Sequence, residues 1–201
     1  MEFTGFNKIP RLKREVVITE KLDGTNAQIK ITDEGEFLVG SRNRWIIPGD
    51  DNYAFAKWAM EHKEELMKLG VGSHFGEWWG QGIARKYDLK EKRFSLFNTA
   101  RWCLAGAEPE IVSIVYTKGN PEPTITYQEP IPECCFLVPV LYKGIFSTEV
   151  ADDCIDLLRI NGSVASPGFM KPEGIIIYHT AANHYFKQTL ENDETPKGKQ
   201  K

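Results

Sequence analysis

Apolar and polar positions follow a strand-like rhythm from the start of the chain. Val16, Val17, Ile18 and Thr19 form a β-rich run, and Ala27, Ile29 and Ile31 then alternate with polar residues. Residues 15–40 therefore read as a three-strand antiparallel meander with turns at Asp23-Gly24 and at Asp33-Glu34-Gly35. The period then lengthens. Asp50 or Asp51 can cap a helix whose apolar residues Phe55, Trp58, Ala59, Leu66 and Leu69 share one face, with Gly70 as its stop. Glu61, Lys63, Glu64 and Lys68 occupy the opposite, solvated face. Strands are predicted again over 72–79 and 93–99, on either side of a glycine- and charge-rich loop over 80–92. Prolines 109, 121, 123, 130 and 132 limit residues 105–135 to short edge strands and loops. A second helix over 148–160 ends at Asn161-Gly162, and strands over 175–178 and 184–187 follow. Residues 192–201 carry no apolar positions and predict a disordered tail. This mixed order predicts an α+β fold with antiparallel sheets, and no internal repeat is visible.

Composition narrows the picture. With 201 residues and 41% apolar content the chain can bury one sizeable core, so one domain over 1–191 and a polar, basic tail over 192–201 are expected. A net charge of −3 excludes a global basic field, so any nucleic-acid contact must be local. Candidates are Arg42 and Arg44, the group Arg85, Lys86, Lys90, Lys92 and Arg93, and the tail residues Lys197, Lys199 and Lys201. A solvated charged face accounts for each group as well. Cys103, Cys134, Cys135 and Cys154 form no Cys-x-x-Cys pair, and the four histidines have no metal spacing with them. They read as reduced residues of a cytoplasmic protein. Glu2 and the lack of a long apolar run argue against a signal peptide, and nothing reaches the length of a membrane span, so no membrane partner is expected. Neither a Gly-x-x-x-x-Gly-Lys loop nor a Gly-x-Gly-x-x-Gly fingerprint is present.

The chemistry-bearing segment is Glu20-Lys21-Leu22-Asp23-Gly24-Thr25-Asn26. A lysine there can serve as a nucleophile once its amine is deprotonated, and a hairpin with a surface lysine fits the same seven residues. The segment resembles the Lys-x-Asp-Gly motif of the covalent nucleotidyltransferases, the superfamily of ATP-dependent DNA ligases, RNA ligases and mRNA capping enzymes. Four further stretches resemble the family's other motifs in the family's order. They are Ser41-Arg42-Asn43-Arg44, Phe75-Gly76-Glu77-Trp78, Phe94-Ser95-Leu96-Phe97 and Pro172-Glu173-Gly174-Ile175-Ile176-Ile177, followed by Lys187. The likeness runs from about residue 15 to 190. Asn26 stands where DNA ligases and capping enzymes carry arginine, and it resembles the phage-type branch of the RNA ligases. Only fourteen residues follow Lys187, too few for a second, oligonucleotide-binding domain, so the adenylation domain alone is expected.

The resemblance implies a nucleotidyltransferase fold of two antiparallel sheets flanked by helices, with a nucleotide groove between them. It also implies ATP-dependent ligation of RNA 5′-phosphate and 3′-OH ends, as in RNA repair, with magnesium or manganese. Such phosphoryl transfer depends on positioning and on neutralising charge. By resemblance Lys21 is the covalent residue, Glu173 the metal ligand, Glu77 a residue that contacts ribose or helps to place metal, with ribose preferred, and Phe97 the ring that stacks on the base. Arg42 contacts ribose or the RNA end, and Lys187 grips the α-phosphate. Glu20, Asp23, Gly24 and Asn26 complete the nucleotide-binding set. The chain departs from the family at Phe186-Lys187-Gln188-Thr189, where Lys-x-Lys is usual. Lys187 then stands second, with Tyr185 in first place, or first, with Thr189 in second. A minimal DNA ligase, a guanylyltransferase, and an adenylation module that needs a separate partner are the alternatives.

Overall fold

The computed structural model describes residues 2–116 and 122–194, so Pro121 and the tail lysines Lys197, Lys199 and Lys201 lie outside the described residues. In chain order the first elements are β1 (Glu15–Lys21), β2 (Thr25–Ile31), β3 (Phe37–Ser41), α1 (Phe55–Glu61) and α2 (Lys63–Leu66). A 3₁₀ turn (Met67–Leu69), β4 (Gly72–Gly80), β5 (Lys92–Leu96), β6 (Trp102–Cys103) and β7 (Ile111–Val115) follow. The rest are β8 (Thr124–Tyr127), β9 (Glu129–Pro130), β10 (Cys135–Leu137), β11 (Val140–Ile145), α3 (Thr148–Asn161), β12 (Gly174–His179) and β13 (His184–Thr189). Within the expected domain the chain divides into two compact units, residues 1–21 with 139–201, and residues 22–138.

The first unit is a four-stranded antiparallel sheet in the order β11-β1-β12-β13, with α3 on one face. Val16, Ile18, Ile175 and Ile177 point to that face and bury against Ala151, Cys154, Ile155 and Leu158 of the helix. Alternation then sends Val17, Thr19 and Lys21 to the opposite face. α3 begins where the Ser147 hydroxyl accepts the Val150 N–H at 3.2 Å. It ends at Gly162 (φ 79°), whose N–H bonds the Leu158 carbonyl, close to its predicted limits.

The second unit is a five-stranded sheet in the order β10-β5-β4-β2-β3. Its core face packs Ala27, Ile29, Ile31, Val39, Trp78, Phe94 and Leu96 against Phe55, Ala56, Ala59, Leu66 and Leu69. Within this sheet one pairing departs from the expected antiparallel pattern, since β10 runs parallel to β5, with Cys135 opposite Phe94. The N-cap position of α1 is Ala54, and neither Asp50 nor Asp51 occupies it, but Asp51 Oδ1 and Oδ2 accept the first-turn N–H groups of Ala56 and Lys57 at 2.7 and 2.9 Å. The single helix expected up to Gly70 is broken at His62, where both the backbone N–H and Nδ1 sit on the Trp58 carbonyl. β6 and β9 pair in parallel, and β7 and β8 form an exposed antiparallel ribbon.

The expected meander is not what forms. β1 pairs with β11 and β12, whereas β2 pairs with β3 and β4, so residues 22–24 cross from one sheet to another instead of turning a hairpin. Each strand follows its own apolar partners: Val16 and Ile18 bury under α3, and Ala27, Ile29 and Ile31 join the core that includes Phe55. Local periodicity specifies strands but leaves open which strands they pair with.

Candidate active site

Lys21 closes β1 on the sheet face that α3 leaves uncovered, and its Nζ lies 2.5 Å from Glu173 Oε2. Glu173 is 1% exposed and stands one residue before β12, so its backbone is fixed by the strand that pairs with β1. Gly174, opposite Lys21 in register, has φ 150°, and a Cβ there would lie 2.2 Å from the Gln188 carbonyl oxygen. Only glycine lets β12 begin at this point. Lys187 stands opposite Ile176, which stands opposite Thr19, so Lys187 shares the face of Lys21. Tyr185 and Thr189, two residues to either side, share it too, so both alignments of the last motif keep their residues on the face of the nucleophile. The Thr189 hydroxyl donates to the Glu191 carbonyl at 2.9 Å and is 3.1 Å from Asp193 Oδ1. Lys187 therefore brings the cationic charge of this motif.

Glu20 points the other way along β1. Its carboxylate is 1% exposed, and Oε2 accepts the Val164 and Ala165 N–H groups, each at 2.9 Å. The side chain is thus committed to holding the 163–165 loop. Burial pushes the Glu20 pKa up, against the lowering influence of the Ser163 hydroxyl and the two amides. A raised carboxyl pKa means the folded state binds the extra proton, so the stabilisation is full at low pH and is lost as pH rises through the folded pKa. Glu20→Gln is expected to raise stability at neutral pH and to flatten its pH dependence above about pH 4.5. Thermal melts of both proteins across acid to neutral pH check this, and a variant that melts lower at neutral pH contradicts it.

In the second unit the Asp-Gly-x-Asn part of the motif is held by side chains from further along the chain. The Asp23 N–H donates to Tyr87 Oη at 2.9 Å, and Arg85 Nε donates to Asp23 Oδ2 at 3.2 Å. Glu77 is buried, and it accepts the Gly24 N–H at 3.1 Å on Oε1 and the Asn26 amide at 3.3 Å on Oε2. Its contacts within this unit thus position the motif turn, in addition to the ribose role that the resemblance implies. Gly24 has no room for a side chain, as a Cβ would lie 2.4 Å from the Trp78 carbonyl oxygen.

Asn26, Arg42 and Phe97 come together, with Ala27, Gln28, Ser41 and Phe75, around an open cavity of about 160 Å³. That is below the roughly 300–1,000 Å³ of pockets that enclose whole small molecules, and it suits one planar ring. Phe94 and Leu96 fill the core, while Phe97, one residue past the end of β5, is 37% exposed. Sequence reading did not single out Phe75 or Gln28. The signal was the period of two, since Phe75 precedes Glu77 by two residues and Gln28 follows Asn26 by two, and the pair stand opposite each other in register. Tyr87 carried no such signal, because it reaches Asp23 from a loop.

Several basic candidates have partners within the protein. Arg44 forms a forked pair with Asp50 at 2.6 and 2.9 Å. Arg85 holds Asp23, Lys92 Nζ donates to the Tyr53 carbonyl at 2.9 Å, and Arg93 pairs with Glu91 and lies over the Phe136 ring. Arg42 is the basic residue among those that line the cavity.

The RNA ligase family model matches residues 14–190. No curated protein sequence matches. Among solved structures, a lysine mutant of Naegleria gruberi RNA ligase with ATP and manganese superposes with a TM-score of 0.56 at 18% identity, covering 89% of this chain and 50% of that one. A second lysine mutant with ATP and manganese gives 0.56 at 19% identity, covering 92% and 52%. The same ligase with pyrophosphate gives 0.54 at 19% identity, covering 89% and 50%. The chain thus spans about half the length of these structures, and it shares their nucleotidyltransferase-type α+β fold. This chain belongs to the RNA ligase family.

Proposed function

From that membership we propose that the chain is the adenylation domain of an ATP-dependent RNA ligase. The observation that carries this reading is the Lys21–Glu173 pair at 2.5 Å, at the end of the strand that carries the family's nucleophile motif. In the first step Lys21 Nζ attacks the α-phosphorus of ATP. An N–P bond forms, the bond from that phosphorus to the pyrophosphate oxygen breaks, and Glu173 Oε2 is the acceptor within reach of the amine proton. An RNA 5′-phosphate oxygen then attacks the AMP phosphorus and displaces the lysine amine. Last, a 3′-OH attacks the activated 5′-phosphate and displaces AMP, which seals the strand.

Lys187 neutralises α-phosphate charge, Phe97 stacks on the base, and Asn26 and Arg42 contact the nucleotide or the RNA end. A divalent cation, magnesium or manganese, would be held by Glu173 and would supply further charge neutralisation on the phosphates. The donor set fits such an ion. Among the described residues no three His, Cys, Asp or Glu side chains cluster, and magnesium commonly takes one or two carboxylates and completes its shell with phosphate and water. The Naegleria ligase structures with ATP and manganese support both ligands. Four cysteines without a disulfide support a reducing, cytoplasmic setting for RNA repair.

A single motif lysine favours one second reading, in which the chain adenylates itself and a separate partner grips the RNA. Incubation with labelled ATP or GTP, then a chase with 5′-phosphorylated RNA, decides. ATP is expected to label the protein and the label to move to RNA. Equal labelling by GTP contradicts the ligase reading, and a label that stays on the protein favours the partner reading. In the same assay Phe97→Ala is expected to weaken ATP binding roughly 5- to 150-fold, the loss of one base–aromatic stack worth about 1–3 kcal/mol. A melt that falls by the ~3–5 kcal/mol of a truncated core phenylalanine, with ATP affinity unchanged, makes Phe97 structural instead.

A further inference from the structure

The sheet face that carries Lys21 and Lys187 continues away from the nucleophile, and the strand register sets its side chains in rows. Lys21, Gly174 and Thr189 form the first row, and Thr19, Ile176 and Lys187 the second. The third runs across all four strands as Lys143, Val17, Tyr178 and Tyr185. Beyond it Glu15 stands opposite Ile145.

The Tyr178 and Tyr185 rings lie 4.7 Å apart at 33°. Tyr178 Oη donates to Asn183 Oδ1 at 2.8 Å, which fixes the inner ring from the β12–β13 turn. A cross-strand aromatic pair ordinarily stabilises its sheet by packing, yet Tyr185 is 62% exposed on an edge strand. Lysines flank the pair. Lys187 is two residues along β13 from Tyr185, about 7 Å away. Lys143 ends the tyrosine row three strands across, about 14 Å from Tyr185. An exposed ring beside spaced cations suits a base that stacks while its neighbouring phosphates meet the lysines.

We propose that Tyr178 and Tyr185, with Lys143 and Lys187, form a stacking surface for an unpaired base of the RNA strand, next to the end that is joined. The proposal rests on the RNA ligase reading above. It differs from the Phe97 cavity, which belongs to the other unit and takes the base of the nucleotide.

The test is fluorescence anisotropy of a 5′-phosphorylated single-stranded RNA on the full chain, beside ATP affinity and a thermal melt of each variant. Tyr185→Ala is expected to weaken RNA binding about tenfold, within the range for one lost stack, with ATP affinity retained. Tyr185→Phe keeps the ring and should bind RNA as wild type does. Tyr185→Leu keeps an apolar body on the strand and should lose RNA binding while still melting as wild type. Lys143→Ala should lower the salt slope of RNA binding by about one contact. Wild-type RNA affinity in the alanine variant, equal losses for phenylalanine and alanine, or a loss of ATP affinity matching that for RNA would each overturn the proposal. If the wild type binds no RNA at all, the proposal falls as well. The ligase reading fails separately, on a wild-type protein that takes no label from ATP.

Discussion

Lys21→Arg is expected to abolish the covalent AMP adduct while leaving the protein folded. Arginine keeps a positive charge beside Glu173 and can still donate to its carboxylate, but the guanidinium stays protonated and offers no lone pair. Loss of the adduct with an unchanged melt therefore isolates nucleophilicity from charge and from packing. Lys21→Ala should lose the adduct too, though it also removes the partner that Glu173 holds at 2.5 Å, so its melt is the less clean control. Electrophoresis under denaturing conditions after incubation with labelled ATP and a divalent metal reads the result. An arginine variant that still takes label would return Lys21 to an ordinary strand-end lysine.

Gly24→Ala is expected to be the most damaging single-methyl change in the motif. The added Cβ would meet backbone, the Trp78 carbonyl oxygen at 2.4 Å, and Trp79 Cβ at 2.7 Å. Neither can swing away as a flexible side-chain end would, because Trp78 is paired in β4 with Thr25 on one side and Phe94 on the other. Overpacking of this kind costs about 1–3 kcal/mol. Relief by a shift of the 22–26 segment would also break the Gly24 and Asn26 bonds to Glu77. Displacing a reacting group by about 1 Å can cost a hundredfold in rate, and Lys21 lies three residues upstream. The variant should therefore lose adenylation by about that factor even below its melting temperature. A variant that melts lower yet labels at the wild-type rate would show that the turn is needed for folding alone.

These two positions also separate what is local in the sequence from what tertiary structure decides. The motif order, the strands that carry it and the limits of α3 were legible, because period, caps and stops are local properties. Gly24 was legible as a place where something approaches the backbone, but the sequence did not reveal that the neighbour is β4. The same limit explains the missed crossover after Lys21. An acidic-glycine turn between two alternating runs looks like a hairpin, and only burial under separate cores assigns β1 and β2 to different sheets. The break at His62 depends on a side chain returning to the Trp58 carbonyl, and the parallel β10 depends on a distant partner strand, with Cys135 opposite Phe94. At the site, Glu173 and Lys187 came to lie on the side of Lys21. Glu20 did not, because side chains along a strand alternate and its carboxylate is held by the Val164 and Ala165 amides. Phe75 was hidden by its chemistry: a phenylalanine in a strand reads as core until its face is known.

AMP on Lys21 is the covalent intermediate of the proposed reaction. Its most direct measurement is tandem mass spectrometry of the wild-type protein, digested after incubation with ATP and a divalent metal and kept away from acid so that a phosphoramidate survives. One AMP adduct is expected, on the lysine of the peptide that contains Glu20-Lys21-Leu22-Asp23-Gly24. An adduct on any other residue, or none in a protein that folds and binds ATP, would contradict it.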